Sequence, residues 1–378
     1  MSLKSLVLCS DEKIVRVLRR VLGDLEIELE LCADSDGALR RLTRQRFEAI
    51  IVDFEADGAS AVLRSARSAP CNKQAVAMAI VEPTVGLKSV FDLGAHFVLY
   101  KPVSSERAKS SFRAARALMK SERRRNVRVA VQIPVAVQST AGGGYIEVKT
   151  VDLSEGGMAV RVKDRRRPTN PLQISFTLPG AEKTLEIPAE FAWEGIAMQA
   201  GLRFLQVAPE TTRQLREWLA KNSPDVEPED PPVRCQLTDL SLGGCYLEIS
   251  SPFPVSTRVM LSMRAASVEV RVQGVVRVMH PDKGMGVEFV QGTVEHRAAV
   301  EKFLAVLTEN RTISPELLVQ PEGLETEPAG QRAAEGDDPL LQLFYGEAQG
   351  VEEFQEALRR QRAMPLPAAD GAAAGAQA

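Results

Sequence analysis

A chain of 378 residues is too long for one ordinary core, and size alone divides it into about two or three folded units. The composition is globular, with 44% apolar residues, 5% aromatic residues and a net charge of -3. A weakly acidic protein lacks the extended basic surface that a duplex backbone requires, so bulk nucleic-acid binding is excluded, and no run approaches a membrane span. The N-terminus lacks the build of a signal peptide, because Leu6-Val7-Leu8-Cys9 is short and Ser10-Asp11-Glu12 stops it. The five cysteines are scattered, with no His at metal-ligand spacing. Cys235 and Cys245 flank the turn at 239–244 and read as reduced core residues rather than a redox pair. The expectation is a cytoplasmic protein with no disulfide framework, metal or cofactor.

Across residues 1–120, short apolar runs alternate with helical patterns. The runs are Lys4–Cys9, Ile27–Cys32, Ala49–Val52, Ala75–Val81 and Phe97–Tyr100, and an amphipathic helix closes the unit from Ser104 to about Ser121. This order predicts an α/β unit, a five-stranded parallel sheet wound on both faces by helices. Functional groups in such sheets lie beyond the carboxyl ends of the strands, where Asp11, Asp53 and Lys101 fall. The unit resembles a response-regulator receiver domain, with Asp53 as phospho-acceptor and Lys101-Pro102 as the pair after the last strand. The family holds Mg2+ with two adjacent acids after the first strand; here Ser10 replaces the first and only Asp11 remains, which leaves at most a weak Mg2+ site at Asp11 and Asp53. Met78-Ala79-Ile80-Val81 also lacks the hydroxyl that grips the new phosphate. The expectation is a pseudo-receiver used for docking or dimerisation.

Residues 121–221 open on Arg123-Arg124-Arg125-Asn126-Val127-Arg128, in which Arg124 and Arg128 stand in R-x-x-x-R spacing. Two strands follow, Val129–Val137 and Tyr145–Val151, separated by the turn 138–144. The second delivers Asp152-Leu153-Ser154-Glu155-Gly156-Gly157, a D-x-S-x-x-G turn. Four guanidiniums beside an acid-hydroxyl-glycine turn suit a compact anion that also offers base edges. The pattern then repeats. Thr238-Asp239-Leu240-Ser241-Leu242-Gly243-Gly244 matches the first turn, and Gly286-Val287-Glu288-Phe289 matches Gly201-Leu202-Arg203-Phe204. Each copy has several short strands and a closing helix, Pro209–Lys221 and Val294–Leu307, which predicts two small antiparallel barrels, at 121–221 and 233–308. The segment 222–232 is an acidic, proline-rich linker.

With R-x-x-x-R ahead of D-x-S-x-x-G, the first copy resembles a PilZ domain, the bacterial receptor for cyclic di-GMP. The resemblance implies a six-stranded barrel with the arginine pair on a flexible segment folded across it. It gives Arg124, Arg128, Asp152, Ser154 and Gly157 to the ligand, with Arg123 and Arg125 as helpers. Gly157 would serve through close approach or positive φ. The second copy keeps Asp239, Ser241 and Gly244 but lacks the arginines and has little room for a first strand, so it reads as a degenerate partner module. Arg264, Arg271 and Arg277 read mostly as solvated faces.

Residues 309–336 are rich in Pro, Gly and Glu and read as a linker. A short amphipathic helix pair is predicted over 337–362, to dock a partner or fold back on a barrel, and 363–378 as a disordered tail. No catalytic set suggests an enzyme. The leading reading is an effector that senses cyclic di-GMP and acts through a protein partner, with a homodimer compatible. The alternatives are a nucleotide-independent scaffold and a response regulator phosphorylated on Asp53.

Overall fold

The computed structural model describes residues 2–69, 71–139, 145–162, 170–195, 198–205, 207–223, 230–290, 294–309, 314–325, 338–345 and 351–363. The basic run 165–167, the turn 140–144, most of the linker 222–232 and the tail from 364 lie outside them.

The first unit alternates strand and helix: β1 (Leu3–Leu8), α1 (Glu12–Asp24), β2 (Ile27–Cys32), α2 (Ser35–Arg44), β3 (Ala49–Asp53), α3 (Ala59–Ser68), β4 (Val76–Val81), α4 (Leu87–Asp92), β5 (Phe97–Tyr100) and α5 (Ser105–Asn126). The strands form one parallel sheet in the order β2-β1-β3-β4-β5. β3 and β4 are buried at every residue, as a sheet covered on both faces demands. The unit is the expected receiver-like fold.

The 22 residues of α5 extend about 33 Å. The helix packs on the sheet through Ala108, Phe112, Ala115 and Leu118, then leaves it and meets the C-terminal half of the chain. Arg116 and Lys120 both bind Asp230, at 2.7 and 2.9 Å, and so pin the end of the linker to the helix.

The first barrel comprises β6 (Val129–Ala130), β7 (Pro134–Ser139), β8 (Tyr145–Ser154), β9 (Gly157–Arg161), β10 (Leu172–Thr177), β11 (Thr184–Glu194) and β12 (Gln199–Phe204), with α6 (Pro209–Asn222) behind it. The antiparallel order β8-β7-β10-β11-β12-β9 closes through β8–β9, and the two-residue β6 continues the line of β7 along β8. Leu215 and Leu219 of α6 complete its core.

The second barrel comprises β13 (Val233–Leu240), β14 (Gly244–Glu248), β15 (Thr257–Ala265), β16 (Val268–His280), β17 (Gly284–Phe289) and, after α7 (Val294–Glu309), β18 (Glu316–Leu324). It closes in the order β13-β14-β17-β16-β15-β18. This corrects the linker expected at 309–336: residues 316–324 are a core strand, with Leu317 and Val319 fully buried. β18 lies between β13 and β15, where β7 lies between β8 and β10. The second barrel takes its missing first strand from its own C-terminal side, a permuted version of the first. Pro321 is tolerated because the pairing slips at Glu322, leaving a bulge opposite Arg258 and Val259.

The expected helix pair is present as α8 (Pro339–Tyr345) and α9 (Val351–Ala363), folded back on the second barrel. Cys235 and Cys245 are buried free thiols, and burial pushes the Cys235 thiol up to about 12. Arg277 is not a solvated residue; it is held by Glu288 at 2.7 Å and Glu325 at 3.1 Å.

Candidate functional site

Asp152 sits on β8 just past a bulge, in register with Ala130 of β6. That pairing brings the residue two places before Ala130 alongside it, and Arg128 Nη1 donates to Asp152 Oδ1 at 2.8 Å. The same oxygen accepts the Ala159 amide at 3.3 Å. In the turn, Ser154 Oγ donates to the Gly157 carbonyl at 2.9 Å, which fixes the bend. Gly157 is required for close approach and not for positive φ: a Cβ there would lie 2.3 Å from the Leu202 carbonyl of β12.

Cross-strand register places Asp152, Ala159, Gly201 and Trp193 in one row across the outer face of β8, β9, β12 and β11. The next row is Ser154, Gly157, Arg203 and Glu190, in which Arg203 is ion-paired to Glu190. The first row has the small residues Ala159 and Gly201 in its middle, whereas Arg203 stands beside Gly157 in the second. The first row is therefore a shallow trough, with Arg128 and Asp152 at one end and the Trp193 indole at the other. That indole lies over Gly201, its Nε1 2.1 Å from where a Cβ would be, and is 40% exposed. Bulges before Asp152 and before Trp193 aim both end residues. Trp193 escaped the sequence reading, although a tryptophan at the end of an apolar run ahead of Gly201 was the available signal.

The other arginines occupy a different setting. Arg123, Arg124 and Arg125 form the last turn of α5, which corrects the expected flexible segment. The segment is helical because α5 continues unbroken into it, carrying buried Lys120, Ser121 and Glu122. Arg123 Nη1 reaches back to the Ser2 carbonyl at 3.4 Å. Arg125 Nη1 donates to the Leu324 carbonyl at 2.8 Å and pairs with Glu122 at 3.2 Å, while Glu122 Oε1 accepts the Leu324 amide. Both backbone groups of Leu324 are thus held by α5. Burial raises the Glu122 carboxyl above its ordinary range, against the opposing pull of Arg125, the Leu324 amide and Arg258. Gly323 allows this contact, because its φ is +127° and a Cβ would lie 2.5 Å from Arg125. A second tie runs from the turn itself: Arg216 of α6 binds Glu155 at 2.7 Å and Glu322 of β18 at 3.3 Å.

The family model described as PilZ domain matches residues 122–221 and, again, 222–305. The chain carries two PilZ domains. They follow a receiver-like domain, and the second match stops before β18, the strand that completes that PilZ barrel. Solved structures similar to parts of the chain include the chemotaxis response regulator CheY4 of Vibrio cholerae, with 22% identity, 30% of this chain and 99% of that one covered, and a TM-score of 0.29. A signal receiver domain of an HD domain-containing protein from Pseudomonas fluorescens Pf-5 shares 19% identity over 33% of this chain and 93% of its own, with a TM-score of 0.29. The PilZ domain of CeSA from a cellulose synthesizing bacterium shares 23% identity over 25% and 93%, with a TM-score of 0.20. No curated protein matches the chain.

In the receiver-like domain, Asp53 is buried at the end of β3. Its Oδ1 lies 2.9 Å from Lys101 Nζ and accepts the Glu55 amide at 3.2 Å, and its Oδ2 faces the Cys9 thiol at 3.6 Å. Burial and the nearby Asp53 push the Cys9 thiol up to about 11. Burial alone would lower the Lys101 ammonium, but Glu55 and Asp53 hold it above its usual range. Asp11 caps α1, accepting from Lys13 and Ile14. The Lys101 ammonium already faces Asp53 Oδ1, and two backbone amides engage Asp11 Oδ1, which leaves one oxygen of each carboxylate for a cation. Among the described residues no group of three His, Cys, Asp or Glu side chains could hold a metal, and no helix is long and apolar enough to cross a membrane.

Proposed function

We propose that the first PilZ domain binds cyclic di-GMP in the trough between Arg128–Asp152 and Trp193, in a cytoplasmic effector that acts by protein contact rather than catalysis. The observation that carries this reading is the Arg128–Asp152 pair at one end of the trough, which joins the two halves of the sequence motif. Arg128, which follows α5, and Arg124, which would turn out from its last turn, supply planar forks for guanine O6 and N7 or for phosphate; Asp152 accepts from a guanine edge. A flat base beside that pair would meet the half-exposed Trp193 indole, which itself covers Gly201. Trp193 offers the base a stacking face, a contact worth about 1–3 kcal/mol per base.

Binding is coupled to the second barrel. Drawing Arg124 towards a ligand strains the last turn of α5, where Arg125 and Glu122 hold Leu324, and a ligand against the turn presses on Glu155 and its Arg216–Glu322 tie. The receiver-like domain serves as the anchor of α5. The test is a calorimetric titration of the full chain. Saturable heat with cyclic di-GMP and none with cyclic di-AMP supports the reading; no heat with either discards it in favour of a nucleotide-independent scaffold.

A further inference from the structure

The outer face of the second barrel repeats the register of the first, with Tyr246 in the place of Ala159, and the chain itself covers it. Its row Asp239, Tyr246, Gly286 and Val278 repeats the row Asp152, Ala159, Gly201 and Trp193 strand for strand. The hairpin of α8 and α9 lies over this row. The Phe344 ring covers Gly286, with Cε1 2.5 Å from where a Cβ would be, much as Trp193 covers Gly201. Leu341 covers Gly243 and Gly244. Asp338 has two roles: Oδ1 caps α8 by accepting from Leu340, and Oδ2 accepts the Gly243 amide of the D-x-S-x-x-G turn at 3.0 Å. Tyr345 donates to Glu288 at 2.7 Å, and Phe354 of α9 packs 5.2 Å from Tyr246 and 4.7 Å from His280.

Three features mark the hairpin as an occupant of the barrel rather than part of its wall. The six-strand ring closes without it. Its apolar contacts with Tyr246 form a cluster of their own, separate from the barrel core of Val259, Leu261 and Val319. The seven residues of α8 are too few to hold a helix alone in water, so its helicity depends on the surface beneath. The contact has the anatomy of a ligand in a pocket: a buried aromatic anchor, a carboxylate on a turn amide and a hydroxyl on an acid.

We infer that the second PilZ barrel is a helix-binding module, and that α8–α9 is its tethered ligand, able to leave and return while the barrel stays folded. The ligand class is an amphipathic helix with Asp at its N-cap, Leu three residues on, and Phe and Tyr at six and seven. The face that in the first barrel would admit a nucleotide is here given to a peptide. This inference does not depend on nucleotide binding by the first barrel.

The test uses the full chain and a fluorescent synthetic peptide of residues 336–363. In the Leu341→Ala, Phe344→Ala chain the cis hairpin is weakened, and the peptide should bind saturably. The wild-type chain should bind it at least about 100-fold more weakly, because a tethered competitor acts at roughly millimolar effective concentration. Asp338→Ala in the peptide should cost about tenfold. Amide exchange of β14 and β17 is measured on the same variant. No binding by a variant that keeps its barrel protection overturns the inference, and so does equal binding to both chains. Loss of barrel protection in the variant also overturns it, since the hairpin would then be part of the fold.

Discussion

Replacing Arg128 by alanine separates a binding role from a structural one. Its ion pair with Asp152 joins side chains that are 50% and 24% exposed, so water and salt screen it. A pair of that kind contributes about 0–1 kcal/mol to folding, and Asp152 keeps the Ala159 amide when the arginine is gone. The folded chain should therefore melt within a degree or two of wild type. Against a guanine edge or phosphate, the same guanidinium makes charge-assisted hydrogen bonds worth about 1.5–3 kcal/mol. At about 1.4 kcal/mol per factor of ten, that is a loss of roughly 10- to 150-fold in affinity. Arg128→Lys should recover only part of it, because an ammonium keeps the charge and loses the fork. Calorimetry gives the affinities and differential scanning fluorimetry the melting points. An Arg128→Ala chain that binds cyclic di-GMP within twofold of wild type, or that melts like a core truncation, refutes the assignment.

Gly157→Ala should cost about 1–3 kcal/mol and abolish nucleotide binding, because the Leu202 carbonyl blocks the new methyl; Gly23→Ala, where nothing lies within 4 Å, should not destabilise the chain, and urea melts compare the two. Leu317→Ala should destabilise the second barrel by about 2–5 kcal/mol, read as faster amide exchange in β13 and β15, whereas a true linker position would change it by less than about 0.5 kcal/mol. Burial holds His96 and His280 neutral below their ordinary value of 6.5, so the unfolded chain gains protons there that the folded chain refuses. Stability should fall as pH drops below about 6.5, with a shallower slope in His280→Gln; an unchanged slope counts against that residue. Acetyl phosphate with Mg2+ should leave Asp53 unmodified by mass spectrometry, since Lys101 already faces it and Asp11 is a helix cap; a phosphoryl adduct restores the response-regulator reading.

Much of the architecture is legible in the sequence because its signals are local. Continuous apolar runs such as Val76–Val81 announce a sheet buried on both faces, and the repeated D-x-S-x-x-G turns announce paired barrels. The helical arginines were misjudged because a charge-rich segment reads as mobile until its partners are known. Their partners, Leu324 and Ser2, lie far off in the chain. Trp193 belongs to the trough only through its register with Gly201, and register is a property of pairing rather than of either strand.

Sequence by itself determined the five-fold β/α alternation, the two barrels, the joint motif at 124–157 and the closing helices, all of which rest on periodicity and turn chemistry within a few residues. Tertiary structure alone decided that Glu316–Leu324 is a strand. Its proline, glycine and glutamates spell a linker in isolation, and only the open edges of β13 and β15, with α5 gripping Leu324, make an extended core strand the way to satisfy its backbone. The same holds for the outer face of the second barrel, where the occupant is chosen by a surface assembled from four strands and not by any one stretch of chain.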